Sequence, residues 1–264
     1  MDRLRLRVTF DEDAGLYDRA RPGYPAALFA DLAELAGAGP GCRVLEIGCG
    51  TGKATVPLAE RGCRVTAVEL GPALAGVARR RLAAFPEAEV VTADFEHWPL
   101  PAEPYDLVVA ATSFHWLDPA MRVAKSAAAL RPGGKLAIVR THHVRGGTSE
   151  FFAQAQECYL RFDPDTPPDL RLEEADEIPR DSAEVDGSGF FAPALFRRYE
   201  WELTYTAATY RDLLMTYSNH RALDSEAREG LLACIRHLID SAYDGRITKR
   251  FLTELQLSEK LTER

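Results

Sequence analysis

Cysteine is scarce in this sequence, and no two cysteines are spaced as a pair. The five thiols stand singly, at Cys42, Cys49, Cys63, Cys158 and Cys234. Zinc modules need paired cysteines, and small secreted scaffolds need a dense set of them, so we expect neither. The pattern predicts reduced thiols in a cytoplasmic protein that binds no metal.

Long apolar runs are also missing. The first ten residues interleave charged and apolar side chains, and apolar stretches such as 107–111 are much shorter than a membrane span. A helix needs about 20 apolar residues to cross the hydrocarbon core of a bilayer. We therefore expect no signal peptide and no membrane partner.

Positive charge is in deficit. The 264 residues include 32 Lys and Arg against 40 Asp and Glu, which gives a formal net charge of −8. Proteins that bind nucleic acid present a basic face, so this balance predicts no nucleic-acid partner. It still allows a local basic pocket for a small acidic molecule. Hydrophobic residues make up 46% of the chain, as in an ordinary globular protein.

From residue 43 onward, strand-like and helix-like segments alternate. Apolar, β-branched segments predict five strands, at 43–47, 64–70, 88–94, 105–113 and 135–141. Between them, helical spacing predicts a helix from Pro72 to about Phe85 and another over 119–130. This order predicts a doubly wound α/β fold with a mostly parallel sheet. Ligands of such folds bind beyond the carboxyl ends of the strands.

Two regions flank this alternation. Before it, we expect an amphipathic helix from about Pro25 to Ala36. After it, the acidic, proline-rich stretch 161–189 predicts a long surface loop. Later patterns predict a strand, two helices and a final strand, at 197–206, 207–217, 224–241 and 247–257. Arg197 and Arg198 are expected at a solvated edge of the first of these strands.

The segment EIGCGTGKAT, residues 46–55, places three glycines directly after the first strand. A phosphate-binding P-loop needs a glycine five residues before Gly52 and a Ser or Thr after Lys53. The chain has Ile47 and Ala54 at those positions. A dinucleotide fingerprint needs its last glycine where Lys53 stands. Both interpretations are therefore disfavoured.

Acidic residues end the first three predicted strands, at Glu46, Glu69 and Asp94. Three carboxylates around a glycine loop would repel a pyrophosphate and attract a cationic nucleoside. S-adenosylmethionine is such a molecule, and we predict it as the cofactor. Glu69 would accept hydrogen bonds from the ribose hydroxyls, and Asp94 from the adenine amine. The alternative for Asp94 is that it caps a turn.

At these positions the chain resembles the class I S-adenosylmethionine-dependent methyltransferases. VLEIGCGTGKAT is similar to their first motif, and VEL, ADFEHWPLP, YDLVVAATSFHWLD and LRPGGKLAI follow in the order of their later motifs, over about residues 40–141. YDRARPGYP and SFHW further resemble the trans-aconitate-methyltransferase-like, type 11 branch. The resemblance implies the Rossmann-like class I fold, with an N-terminal lid and a helical insertion after the fifth strand.

The resemblance also implies a single methyltransferase domain over residues 1–264. Its parts are a helical lid, a cofactor-binding core, an acceptor-side insertion with helices and a C-terminal strand, over 1–40, 41–144, 145–240 and 241–264. In this branch the lid closes over the cofactor, which would place Tyr17, Arg21 and Tyr24 near its methionine end. Arg21 could bind the carboxylate of the substrate or of the cofactor, and it could equally pair with an acidic side chain. Lys53 could contact the cofactor carboxylate or face solvent.

Motifs and resemblance together predict a set of cofactor-binding residues. These are Tyr17, Arg21, Glu46, Gly48, Cys49, Gly50, Thr51, Gly52, Glu69, Leu70, Ala93, Asp94, Phe95, Thr112, Ser113 and Phe114. His115 is the candidate catalytic base, since it follows the fourth strand, where the transferable methyl group should point. The alternative is a histidine of the pocket wall. His142 and His143 are adjacent, so their side chains should leave a strand on opposite faces rather than form a metal site.

The predicted function is methyl transfer from S-adenosylmethionine to a small-molecule acceptor. A carboxylic acid is suggested by the likeness to the trans-aconitate branch, and a carboxylate would need no base. Two alternatives remain open. One is a protein that binds S-adenosylmethionine without transferring its methyl group, and the less favoured one is a nicotinamide-dependent oxidoreductase.

Overall fold

Seven strands form one sheet in the computed structural model of the protein, which describes residues 10–163, 165–168 and 171–262. In chain order these strands are β1 Arg43–Ile47, β2 Arg64–Glu69, β3 Ala88–Thr92, β4 Tyr105–Ala111, β5 Leu130–Gly147, β6 Leu195–Thr206 and β7 Arg246–Glu259. Their order across the sheet is β3-β2-β1-β4-β5-β7-β6. The first five strands run parallel, and β7 lies antiparallel between β5 and β6.

Helices connect and cover these strands. In chain order they are α1 Ala14–Ala20, α2 Ala26–Ala36, α3 Thr55–Glu60, α4 Pro72–Arg81, α5 Arg122–Ala129, α6 Ser149–Phe162, α7 Ala183–Asp186, α8 Ala207–Leu214, α9 Ser218–Ala222 and α10 Ser225–Ala242. A short 3-10 turn, Phe114–Trp116, follows β4. The predicted doubly wound α/β fold is confirmed. None of the helices in the described ranges is both long and apolar enough to cross a membrane.

The central strands of the sheet are covered on both faces, which buries their unbroken apolar runs. Leu45 of β1 and Val108 of β4 are fully buried on one face, and Val44 and Leu107 on the other. Such two-sided burial is typical of parallel strands between helical layers. Because the chain turns from β3-β2-β1 back to β4-β5, the order reverses between β1 and β4. Their carboxyl ends therefore open a crevice, the usual ligand site of this architecture.

Helices α6, α8 and α10 form a second helical layer, which packs on the part of the sheet that contains β7. These helices pack around fully buried side chains such as Phe151, Leu213 and Leu231. Here the prediction of five reduced thiols is wrong. Cys158 of α6 and Cys234 of α10 form a disulfide, with their Cα atoms 5.9 Å apart. Single cysteines 76 residues apart give no pairing signal in the sequence.

Other expectations need correction. Strand β5 continues to Gly147, six residues beyond its predicted end, because β7 pairs with it to that point. Strand β6 lies at the edge of the sheet, but the solvated position predicted for Arg198 is wrong, since its guanidinium binds the buried Glu254 carboxylate at 2.7 Å. The segment 161–189, predicted to be a loop, contains the end of α6 and all of α7, so the prediction is wrong at these helices. Residues 164, 169 and 170 of this segment lie outside the described residues. So do the first nine residues of the predicted lid.

Candidate active site

A cavity of about 1570 Å³ lies beyond the carboxyl ends of the parallel strands. Its wall contains the predicted base His115 and fourteen of the sixteen predicted cofactor residues, namely Tyr17, Arg21, Glu46, Gly48, Cys49, Gly50, Thr51, Glu69, Leu70, Ala93, Phe95, Thr112, Ser113 and Phe114. The other two predicted residues, Gly52 and Asp94, are not part of the wall. Residues far apart in the sequence are thus brought to one chamber.

The glycine loop after β1 depends on backbone shapes that other residues rarely adopt. Gly48 and Gly50 have φ angles of 68° and 57°. A Cβ atom on Gly48 would lie 2.7 Å from the Cβ of Ser113, closer than such atoms approach. A Cβ on Gly50 would extend toward Tyr17, whose ring is 3.7 Å away. Glycine at position 48 therefore lets the loop lie close to the end of β4, and glycine at position 50 leaves the cavity side of the loop open.

Two carboxyl groups are buried beside this loop. Glu69 accepts hydrogen bonds from the backbone N–H groups of Gly50 and Gly71, each at 2.8 Å. Glu46 is 1% exposed, and its Oε2 has no hydrogen-bond partner among the described residues. Burial raises the pKa of Glu46 to about 7 and also raises the pKa of Glu69. The Thr55 side chain opposes the rise in the pKa of Glu46, and a donor or a cation at Oε2 would further offset the cost of burying this acid.

The N-terminal segment (residues 10–25) lies across the loop. Lys53 of the glycine loop donates a hydrogen bond to the Asp18 carbonyl at 2.8 Å, and Arg81 pairs with the Asp18 carboxylate at 2.8 Å. The Tyr24 hydroxyl lies 3.0 Å from that of Thr112, at the end of β4. Lys53 thus fastens the segment to the loop and does not simply face solvent, and its contact with the cofactor carboxylate stays a prediction. These bonds bring the segment over the site.

Arg21 enters the cavity from the same segment, and none of the acidic side chains in the described ranges is the ion-pair partner that one of its predicted alternatives required. Among the described residues its bond is to the Thr216 carbonyl, at 2.8 Å, and its Nε has no partner. The guanidinium carbon lies 4.4 Å from the ring centre of Tyr217 and 5.4 Å from that of Tyr17. Aromatic faces stabilise a cation at such distances. The side chain is held in position while Nε remains free for an acceptor.

The turn after β4 forms the part of the cavity wall that contacts this segment. Thr112 has a φ of 55°, which is uncommon for a β-branched residue and is characteristic of strained functional sites. Next to it the Ser113 hydroxyl donates to the Ile47 carbonyl, which ties β4 to β1. His115 is exposed and forms part of the cavity wall. Burial and the charge of Arg122 lower the pKa of His115, so its imidazole is neutral at pH 7.

Known proteins share this architecture and its central sequence. Residues 44–134 match the family described as "Methyltransferase domain". A solved structure from Anaeromyxobacter dehalogenans, provisionally assigned as a type II methyltransferase, superposes with a TM-score of 0.64 and 26% identity. The superposition covers 92% of this chain and 99% of that one. This chain contains a class I methyltransferase domain.

Two relatives align with the methyltransferase domain over shorter stretches. An uncharacterized methyltransferase of Mycobacterium tuberculosis is 38% identical over 52% of this chain and 54% of its own length. The chain thus spans about half the length of that relative. A trans-aconitate 2-methyltransferase of Paracidovorax citrulli is 42% identical over 36% of this chain and 37% of its own length. S-adenosylmethionine, the predicted cofactor, is the cosubstrate that such a domain implies.

Asp94 is used locally in the methyltransferase domain. Its Oδ1 accepts from the backbone N–H of Glu96 at 3.0 Å, and its Oδ2 lies 3.1 Å from the His97 ring. The carboxylate therefore caps the turn after β3, as the alternative interpretation expected. Contact with adenine stays a prediction. Gly52 packs against α4, where a Cβ would lie 3.6 Å from Ala78.

Several residues of the cavity escaped sequence analysis. At the β7 end of the cavity (Tyr159, Tyr217, His220, Lys249 and Phe251), the Tyr159 hydroxyl lies 3.0 Å from the His220 ring. His143 packs edge-on against Phe152, 4.4 Å between ring centres, and its Nε2 has no described partner. These residues come from α6, α9, β5 and β7. No local motif joins them, because only the sheet and the second helical layer bring them together.

Proposed function

We propose that this protein is an S-adenosylmethionine-dependent methyltransferase that acts on a small-molecule acceptor. The observation that carries the proposal is the pair of buried carboxyl groups, Glu46 and Glu69, beside an open glycine loop. A pyrophosphate would meet two negative charges there, whereas a cationic nucleoside supplies the missing donor and positive charge. The Oε2 of Glu46 has no donor among the described residues, and an ammonium group beside it would supply one.

Different residues of the chain would bind different groups of such a ligand. Glu69 would hold the ribose hydroxyls with the second lone pairs of its oxygens, and Glu46 would accept a hydrogen bond from the amino group. The free Nε of Arg21 suits the ligand's carboxylate. We propose that the N-terminal segment acts as the lid of the site, and that residues 145–240 shape the acceptor side.

When bound, S-adenosylmethionine supplies an electrophilic methyl group on a positively charged sulfur. The protein's contribution is to hold the acceptor in line with that group and to exclude water. Positioning alone can supply roughly 7–11 kcal/mol in well-oriented reactions. Phe10 and Trp116, with ring centres 5.4 Å apart, provide an apolar rim, and the neutral His115 imidazole is competent to accept a proton. If the acceptor is a carboxylate, no base is needed, and His115 would only form part of the cavity wall.

A carboxylic acid is the acceptor class that we favour. Relatives of the aligned region include the trans-aconitate 2-methyltransferase and a malonyl-[acyl-carrier protein] O-methyltransferase of Serratia marcescens, which is 38% identical over 51% of this chain and 51% of its own length. Both names denote acceptors that carry carboxyl groups. The cavity also has cationic side chains on its acceptor side, such as Arg140 and Lys249.

The proposal is tested by following the labelled methyl group of S-adenosylmethionine into product. The purified protein is incubated with a panel of small di- and tricarboxylic acids, and ester product is detected by mass spectrometry. The proposal predicts product with at least one acid and none with the Gly50→Val variant. Binding of S-adenosylmethionine without product from any acceptor would favour a binding protein without transfer activity. Binding of NAD alone would favour the oxidoreductase alternative.

A further inference from the structure

We infer that Lys249 and the Tyr217 hydroxyl form a binding site for a carboxylate of the acceptor, at the β7 end of the cavity. The inference rests on the proposed function and deepens it by naming the group that the acceptor presents. Strand β7 lies three strands from β1 across the sheet, which is about 14 Å at the usual strand spacing. A site there is separate from the cofactor loop and within the length of a small molecule.

Lys249 is a buried cation without a buried anion. The residue is 5% exposed and lies on the cavity wall. Its Nζ is 3.4 Å from the Tyr217 hydroxyl, and lies 5.4 Å from the ring centre of Tyr217 and 5.3 Å from that of Phe251. Over the described ranges no carboxylate comes within 4.0 Å of it. The rings offset part of the desolvation cost, and an anionic ligand would offset the rest.

The ammonium group also has unused hydrogen-bond capacity. A lysine carries three N–H donors, and one of them is used at the Tyr217 hydroxyl. The other two have no partner in the described part of the chain. A carboxylate oxygen accepts such donors well, and the Tyr217 hydroxyl can donate to the same group. Lysine and tyrosine together therefore supply the donors that one carboxylate needs.

The neighbouring titratable groups leave Lys249 as a local positive charge. Burial lowers the pKa of His143 to about 2 and that of His220 to about 4, and the charge of Lys249 contributes to both shifts. Both rings are therefore neutral at physiological pH. Asp163 also lines the cavity and acts on His220, but it forms no ion pair with Lys249. A cationic acceptor would be repelled here, and an anionic one attracted.

Tyr217 links this site to the cofactor side. Arg21 stacks on the ring of Tyr217 at 4.4 Å, and Lys249 meets the hydroxyl of the same residue. Two cations thus flank one tyrosine, one toward the glycine loop and one toward β7. This arrangement lets Arg21 hold the carboxylate of the cofactor while Lys249 holds that of the acceptor. A neutral or cationic acceptor would leave Lys249 without a role in binding.

The test compares Lys249→Met with Arg246→Met, which removes an exposed cation from the same strand. Each protein is saturated with S-adenosylhomocysteine and titrated calorimetrically with trans-aconitate, malonate and citrate. We expect at least one acid to bind the unchanged protein and Arg246→Met equally, and to bind Lys249→Met at least tenfold more weakly. The trimethyl ester of trans-aconitate should not distinguish the three proteins.

Equal affinity of Lys249→Met for every acid that binds, or no acid binding to the unchanged protein, would overturn the inference. Inorganic phosphate serves as the competing anion, and binding of phosphate in place of all three acids would also overturn it. The affinity for S-adenosylhomocysteine should be unchanged in Lys249→Met. If Lys249→Met does not fold, Lys249→Gln takes its place in the experiment. Failure of the unchanged protein to bind S-adenosylhomocysteine contradicts the proposed function instead, so the two failures are distinguishable.

Discussion

The protonation state of Glu46 should control how tightly the cosubstrate binds. Its carboxyl group is 1% exposed, and burial, with the Glu69 charge acting in the same direction, raises its pKa to about 7. Only the ionised form can accept the hydrogen bond of an ammonium group. With a pKa near 7, about nine-tenths of the molecules are ionised at pH 8 and about one-tenth at pH 6. Affinity should therefore fall about tenfold between these two values.

Calorimetric titration with S-adenosylhomocysteine at pH 6, 7 and 8 measures this effect. The matched variant is Glu46→Gln, which preserves the shape of the side chain and cannot ionise. It should bind at least about tenfold more weakly than the unchanged protein at pH 8, because a hydrogen bond to a charged group is lost. Its affinity should be independent of pH in this range. A flat profile for the unchanged protein, or an equal slope in Glu46→Gln, would refute the reasoning.

The same group gives the unliganded protein a pH-dependent stability. Because the folded-state pKa of Glu46 lies above the usual 4.5, the folded state holds a proton that the unfolded chain releases between pH 4.5 and 7. Below pH 4.5 Glu46 should therefore make its full contribution to the free energy of unfolding. As the pH rises from 4.5 through 7, the free energy of unfolding should fall by about 3 kcal/mol. The cosubstrate restores part of this loss by pairing with the ionised group.

Three further substitutions test other parts of the account. Gly50→Val should abolish S-adenosylhomocysteine binding while the circular dichroism spectrum stays native, because a β-branched side chain is strained at a φ of 57° and fills the loop surface; unchanged affinity would reject the site. His115→Ala should retain turnover of a carboxylate acceptor within about tenfold, and a loss beyond about 100-fold with normal cosubstrate affinity would make His115 the base. Arg198→Ala leaves the buried Glu254 carboxylate unpaired and should cost about 3–5 kcal/mol of unfolding free energy in urea titration, against at most about 1 kcal/mol for the exposed Arg197→Ala.

The glycine-loop side of the cavity could be predicted because its signals are local. Glu46 and the glycines belong to one strand-turn-helix, so residue type and spacing carry the information. The strand positions followed from apolar runs, and apart from β5 each strand end lies within two residues of its predicted position. Helix α4 ends at Arg81 rather than near Phe85, because the Leu82 N–H closes the last turn on the Ala78 carbonyl and the chain then turns.

The β7 end of the cavity could not be predicted because its residues meet through long-range contacts. No sequence motif singles out Lys249 within the predicted final strand, and the residue is buried where β7 lies between β5 and β6, next to the second helical layer. His220 and Tyr159 are 61 residues apart and belong to different helices. The Cys158–Cys234 disulfide joins two helices in the same way. The cytoplasmic location inferred from the cysteines stays a prediction.

The central claim is that two buried acids at a glycine loop hold a cationic nucleoside rather than a phosphate. Parallel calorimetric titrations with S-adenosylmethionine, S-adenosylhomocysteine and NAD test it most directly. The account predicts one-to-one binding of both adenosyl ligands and no detectable heat with NAD. Binding of NAD without either adenosyl ligand would contradict it.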